Sequence, residues 1–260
     1  MMLLDFSKKE IWMKAGMLAI EEVIPQDIIS LTQQEDPDTM FEDDLNYIIK
    51  HWESQDPWIS VESLRNDFDR CICHHFRKIK GFHACRITNE DSYREHGLRE
   101  LSKELLLELA VERFGSFASP IKIEQACNNW KILENDTGVY FFPSLDNAID
   151  SSQNHYLKCG SETLQAISCD LGLNNRGILS GQGRSCIIEC NIPINQIKQG
   201  FRISIWSMII TGIFREKAGK VINEDVPDIG YTTYGKVEPE CIQRFHYIKD
   251  SSYRYTLNLH

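Results

Sequence analysis

Apolar residues recur every three or four positions over Lys9–Val23, and this spacing predicts an amphipathic helix. A second helix is predicted for residues 41–52, after the acidic, proline-containing break Glu35-Asp36-Pro37-Asp38. Leu64, Phe68, Cys71, Ile72, Phe76 and Ile79 carry the helical interval through residues 64–79, where Gly81 can end the helix. The chain then becomes strand-like over residues 82–87. Thr88 with Asp91 three positions later predicts a helix start, and Gly97 a stop. Leu101, Leu105 and Leu109 mark a helix ending near Gly115, residues 120–133 read as another, and Gly138 opens an aromatic and β-branched strand. Residues 144–170 are polar and interrupted by Gly160, with Ser161 placed to cap the helix that follows. Residues 185–192 read as a strand stopped by Pro193, 203–214 fit a buried strand or a buried helix equally, 230–235 form a turn-rich loop, and 237–248 a closing strand. The expected class is α+β, with a helical segment over residues 1–79 ahead of a main domain over 80–260.

Composition narrows the setting. A chain of 260 residues with 42% hydrophobic residues can bury one large core or two modest ones. The opening residues mix acids and bases where a secretory signal needs an apolar stretch, and residues 203–214 are too short to span a bilayer, so a cytoplasmic protein without membrane contact is expected. Nine cysteines without regular spacing are expected to be reduced thiols. A net charge of −10 disfavours broad nucleic-acid affinity and favours a protein or small-molecule target, although Arg77-Lys78-Ile79-Lys80 is a local basic patch able to meet RNA.

The candidate chemistry lies on strand-like runs. Structural zinc usually takes two-residue knuckles, which Cys71, Cys73, His74, His75, His83 and Cys85 do not form. On a helix Cys71 and Cys73 point roughly 200° apart at about 100° per residue, so they cannot share an ion and Cys71 reads as a core thiol. His83, Cys85 and Ile87 share one strand face, with Phe82, Ala84 and Arg86 on the other. A lone strand histidine is usually a core residue. This one is followed by a small residue and a capped helix, which suits a nucleotide site. Tyr140, in Gly138-Val139-Tyr140-Phe141-Phe142, and Tyr156 stand sixteen residues apart around a polar loop carrying Ser144, and two such rings can clamp a flat nicotinamide. Glu238 and Glu240 flank Pro239 and, in an extended strand, would face one side, where a carboxylate can bind a ribose hydroxyl and offset oxocarbenium charge. Gly181-Gln182-Gly183 lacks the third glycine of a dinucleotide fingerprint, and Gly160-Ser161-Glu162 is not a nucleophile elbow.

Taken in order, His83-Ala84-Cys85, then Gly138-Val139-Tyr140-Phe141 with Ser144, Ala148 and Tyr156, then Glu240, this set resembles the ADP-ribosyltransferase superfamily of the histidine–tyrosine–glutamate type, over roughly residues 80–250. The resemblance implies a split β-sheet core behind the helical segment. It also implies NAD as substrate and transfer of ADP-ribose to a macromolecular acceptor with release of nicotinamide. In that scheme His83 holds a ribose, Tyr140 and Tyr156 clamp the pyridine ring, and Ser144 lines the cofactor site. Glu240 binds the ribose 2′-hydroxyl, Glu238 orients the acceptor and Arg86 meets the pyrophosphate. The sequence departs from the pattern in Ala84-Cys85, where a glycine and a hydroxyl residue are usual, in a longer loop at 143–155, and in Pro239 between the glutamates. The acceptor would be protein or nucleic acid, with protein favoured by the acidic charge. By analogy the family suggests a bacterial toxin or phage-defence role, with an antitoxin or regulatory protein as a further partner. Two other readings stand beside it: a non-catalytic interaction protein on the same scaffold, and a zinc-stabilised binding module built around residues 71–85.

Overall fold

A computed structural model describes residues 2–41, 44–130, 138–150, 155–220 and 230–249. In chain order the elements are β1 (Met2–Leu4), α1 (Lys9–Val23), α2 (Gln26–Thr32), α3 (Asn46–Trp52), α4 (Val61–His75), β2 (Phe76–Ile87), α5 (Glu90–His96), α6 (Lys103–Phe114) and α7 (Pro120–Asn129). They continue as β3 (Tyr140–Phe141), α8 (Leu145–Asp150), α9 (His155–Cys159), α10 (Glu162–Asp170), α11 (Asn175–Ser180), β4 (Arg184–Pro193), α12 (Gln199–Lys217), β5 (Tyr231–Thr232) and β6 (Ile242–Tyr247). The fold is mixed α/β, with one sheet in the order β1-β2-β4-β6 and a two-stranded pair β3-β5. The chain divides into two compact units, one of residues 1–80 and 192–231, the other of 81–191 and 232–260.

The first unit is mainly helical. Leu3 and Leu4 pair in parallel with Lys78 and Ile79 at the start of β2. Helices α1, α4 and α12 pack on one another. The Ser60 hydroxyl caps α4 by accepting from the Ser63 amide at 3.0 Å, while Ser63 Oγ accepts from the Ser60 amide at 3.0 Å. Buried Asp69 on α4 accepts from Arg202 Nε and Nη2 of α12, both at 2.8 Å, and from Trp206 Nε1 at 2.9 Å. This bidentate pair with a third donor satisfies a carboxylate that burial alone would penalise.

The second unit holds the rest of the sheet. β4 and β6 run antiparallel, from Cys186 opposite Tyr247 to Cys190 opposite Ile242. One core gathers Leu106, Phe114, Ile123 and Ile167 from α6, α7 and α10. A second joins Phe82, Ala84, Phe142, Ala148, Leu157 and Ile187, and Tyr140 and Tyr156 pack on it.

Several elements differ from the sequence expectation. Helix α4 ends at His75, four residues before the predicted helix end at 79, and Phe76 begins the strand. Phe76 and Ile79 are buried there by strand pairing with β1, not by a helical face. Residues 203–214 are helical, lying within α12. Thr88 is not the cap of α5; the neighbouring Asn89 side chain accepts from the Asp91 amide at 3.0 Å. α7 ends at Asn129, and residues 131–133 of the predicted helix lie outside the described residues. The first unit joins residues 1–80 to residues 192–231, where the sequence reading expected a helical segment over 1–79 alone. None of the nine cysteines is in a disulfide, and no described helix is long and apolar enough to cross a membrane.

Candidate functional site

Strand β2 brings the histidine to the aromatic run. Phe82 and Phe142 exchange backbone hydrogen bonds at 3.0 and 2.9 Å in an antiparallel bridge, so His83 falls opposite Phe141. Their rings lie 5.8 Å apart. His83 Nδ1 donates to the Tyr140 carbonyl at 2.9 Å, which fixes the proton on Nδ1 and leaves Nε2 as the acceptor of the neutral ring. Burial drives the imidazole pKa below its ordinary value, against a smaller opposing effect of the Tyr140 carbonyl. At neutral pH His83 is therefore an uncharged hydrogen-bonding group.

The two tyrosines meet. Tyr140 and Tyr156 face each other at a tilt of 22° with ring centroids 6.2 Å apart, and the Phe142 ring stands edge-on to Tyr140 at 5.1 Å. His155 lies 4.1 Å from the Tyr156 ring on its own helix. Burial, with the Glu162 carboxylate alongside, pushes the Tyr156 phenol up to about 12, so it is a neutral hydroxyl. A flat ring held between two others needs faces about 7 Å apart, at about 3.5 Å per contact. The pair is thus slightly closed relative to a clamp around a pyridine.

Two residues that sequence reasoning did not single out hold this run in place. Thr233, buried, takes the Val139 amide on Oγ1 at 3.2 Å and donates its own amide to the Val139 carbonyl at 3.0 Å, which anchors the residue before Tyr140. Asn147 pairs with Ser144. Thr233 lies 94 residues from Val139, so nothing local in the sequence could have marked it.

Four predicted site residues are placed otherwise than expected. Arg86 is buried, and its five N–H donors are all engaged: Nε with the Gln182 carbonyl, Nη1 with the Leu157 carbonyl and Ser185 Oγ, Nη2 with the Ser180 and Gly183 carbonyls, at 2.7 to 3.0 Å. No donor is left for a pyrophosphate, which corrects the role expected for it. The buried Ser144 hydroxyl accepts from the Asn147 amide at 3.0 Å and bonds the Asn147 side chain, starting α8. Glu238 and Glu240 are not on an extended strand. Pro239–Cys241 is a 3-10 turn and β6 begins only at Ile242, so the period of two does not put the two carboxylates on one side. Glu238 pairs with Lys236 at 2.9 Å, and Glu240 is exposed.

The turn is positioned through α5. Leu98, just past the helix stop Gly97, exchanges two 2.9 Å backbone bonds with Val237, the residue before Glu238. In the other unit, Lys80 of the basic run pairs with buried Asp5 at 3.0 Å, while Arg77 and Lys78 are exposed. The second unit thus sets His83 against Phe141 and the Tyr140 carbonyl on one side of the pairing, sets the Tyr140 and Tyr156 rings with Phe82, Ala84 and Phe142 on the other, and uses Arg86 and Ser144 as internal fastenings. No protein-family model matches the chain, and no curated protein or solved structure matches it.

Proposed function

We propose that the second unit binds NAD through its nicotinamide end and transfers ADP-ribose to a macromolecular acceptor, a protein surface being favoured by the charge of −10. The observation that carries this reading is the pair of facing rings of Tyr140 and Tyr156, from segments sixteen residues apart, with His83 bonded to the Tyr140 backbone. A neutral imidazole with Nε2 as acceptor suits a ribose hydroxyl. Two near-parallel phenol rings suit a flat pyridine after a separation of about 1 Å.

In the proposed reaction the bond between ribose C1′ and the nicotinamide nitrogen breaks, and its electron pair leaves with nicotinamide. The oxocarbenium ion is captured by an acceptor nucleophile, which gives up its proton to solvent. Glu240 is assigned the carboxylate that accepts from the 2′-hydroxyl and offsets the positive charge. Glu238, already held by Lys236, is assigned to the acceptor side.

The exposed turn carrying Glu240 favours a second reading, in which the same scaffold binds a partner without chemistry. Nicotinamide release from NAD by the wild-type chain, Glu240→Ala and Tyr140→Ala separates the two. Turnover is expected to fall by about a hundredfold or more in Glu240→Ala, a loss typical of removing one charge-stabilising group, with KM little changed. Tyr140→Ala is expected mainly to raise KM. Equal turnover in wild type and Glu240→Ala, with the fold intact, removes the enzyme reading.

A further inference from the structure

The first unit carries a cluster unconnected with NAD. Cys71 and His75 are four residues apart on α4 and so project from one face of that helix. Glu22, in the last turn of α1, reaches the same spot. Cys71 Sγ donates to Glu22 Oε2 at 3.3 Å, His75 Nε2 donates to Glu22 Oε1 at 2.6 Å, and the three donor atoms all lie within 4.8 Å of one another.

We propose that Glu22, Cys71 and His75 form a binding site for a zinc-class divalent ion, with three protein ligands and a fourth position left to water. Thiolate, imidazole and carboxylate together are the donors zinc takes. At zinc bond lengths in tetrahedral array, neighbouring donor atoms stand about 3.3 to 3.7 Å apart, so shifts well under 1.5 Å bring this cluster to ligand spacing. The hydrogen bonds already aim the donor atoms at a common point. The ion takes the place of the two shared protons: the Cys71 thiol proton leaves to solvent, and the His75 proton moves from Nε2 to Nδ1 through solvent exchange. Cys71 is buried while Glu22 is exposed, so an ion enters from solvent and is backed by the core. The ligands come from two helices that pack on one another, so the bound ion clamps the end of α1 to α4.

The test is equilibrium dialysis of the full chain against zinc with metal analysis, and titration with cobalt as a spectroscopic stand-in. One zinc per chain is expected, together with a thiolate-to-cobalt charge-transfer absorption and a rise in the thermal midpoint with zinc. Cys71→Ser should abolish the charge-transfer band, and Cys71→Ser, His75→Gln and Glu22→Gln should each weaken zinc binding by about tenfold or more. Cys73→Ser, roughly 200° around the helix from Cys71, should bind as the wild type does. If Cys71→Ser fails to fold, His75→Gln and Glu22→Gln, which alter ligands less deeply buried than Cys71, decide the matter. No retained zinc, an absent cobalt band, or equal loss in Cys73→Ser overturns the proposal.

Discussion

Arg86 is held among five uncharged oxygens, and it is satisfied because its five N–H groups fan out in one rigid plane. Lysine keeps the charge but offers three donors from a single atom, which cannot reach acceptors spread around a fork. Arg86→Lys is expected to cost about 3 kcal/mol, in line with breaking a buried, hydrogen-bonded charge site. Urea denaturation reads this as a lower midpoint, while any NAD turnover per folded molecule stays unchanged because Arg86 has no donor left for substrate. A midpoint equal to that of the wild type would contradict this account. The signal for its role was present in the sequence. Arg86 shares its strand face with Phe82 and Ala84, both buried, and an arginine in such company is more often a fastening than a ligand. The period of two around His83 was readable, and the pairing of Phe82 with Phe142 keeps His83 with Phe141 on one face and Tyr140 with Phe82 and Ala84 on the other. The zinc candidate was not. The pair to compare was Cys71 with His75, at helical i and i+4, and the third ligand, Glu22, lies 49 residues away from Cys71.

At the level of elements, the placement of the Glu238-Pro239-Glu240 turn depends on how α5 ends. Gly97 has φ +72°, and a Cβ there would stand 2.1 Å from the Val237 carbonyl oxygen, whose residue is bonded to Leu98. With ψ −158° this backbone conformation is essentially confined to glycine, so Gly97→Ala combines a backbone penalty of about 1–3 kcal/mol with a clash against main chain that cannot move aside cheaply, and is expected to cost about 2 kcal/mol or more. Gly172 is the control: its φ is +67°, but nothing lies within 4 Å of the added atom, so Gly172→Ala should show the backbone penalty alone. Chemical denaturation of both variants checks the difference, and equal losses would show that the Val237 contact is immaterial. Gly97 as a helix stop was readable from the chain, as was α1 to the residue. The end of α4 was not, because Phe76 and Ile79 fit both a helical stripe and a strand, and only pairing with β1 decides between them. The closing strand failed at its start for a related reason. Pro239 lacks the amide a ladder needs, and the chain instead makes a 3-10 turn in which the Cys241 amide donates to the Glu238 carbonyl at 3.0 Å.

On the scale of the whole molecule, the first unit is assembled from two stretches of chain, and the later one is indispensable to it. α12 buries Trp206, Ile209, Ile210, Ile213 and Phe214, and its Arg202 neutralises the buried Asp69 of α4. Residues 1–80 alone would expose the faces of α1 and α4 that pack on α12 and leave Asp69 without its cation. The helices that remain are at most fifteen residues long, and helices of that length are marginal in water without tertiary packing. A fragment of residues 1–80 is therefore expected to show weak helicity and no cooperative thermal transition. Joining residues 1–80 to 192–231 through a flexible glycine-serine linker restores the α12 face and the Arg202 pair, and this chain should melt in a single cooperative step. Circular dichroism on the two polypeptides makes the comparison. A sharp transition in residues 1–80 alone would mean that the core of this unit is already complete before α12. No such interdependence could be read from a chain taken in sequence order, because residues 203–214 are apolar on every side and name no partner until α4 presents its buried carboxylate to them.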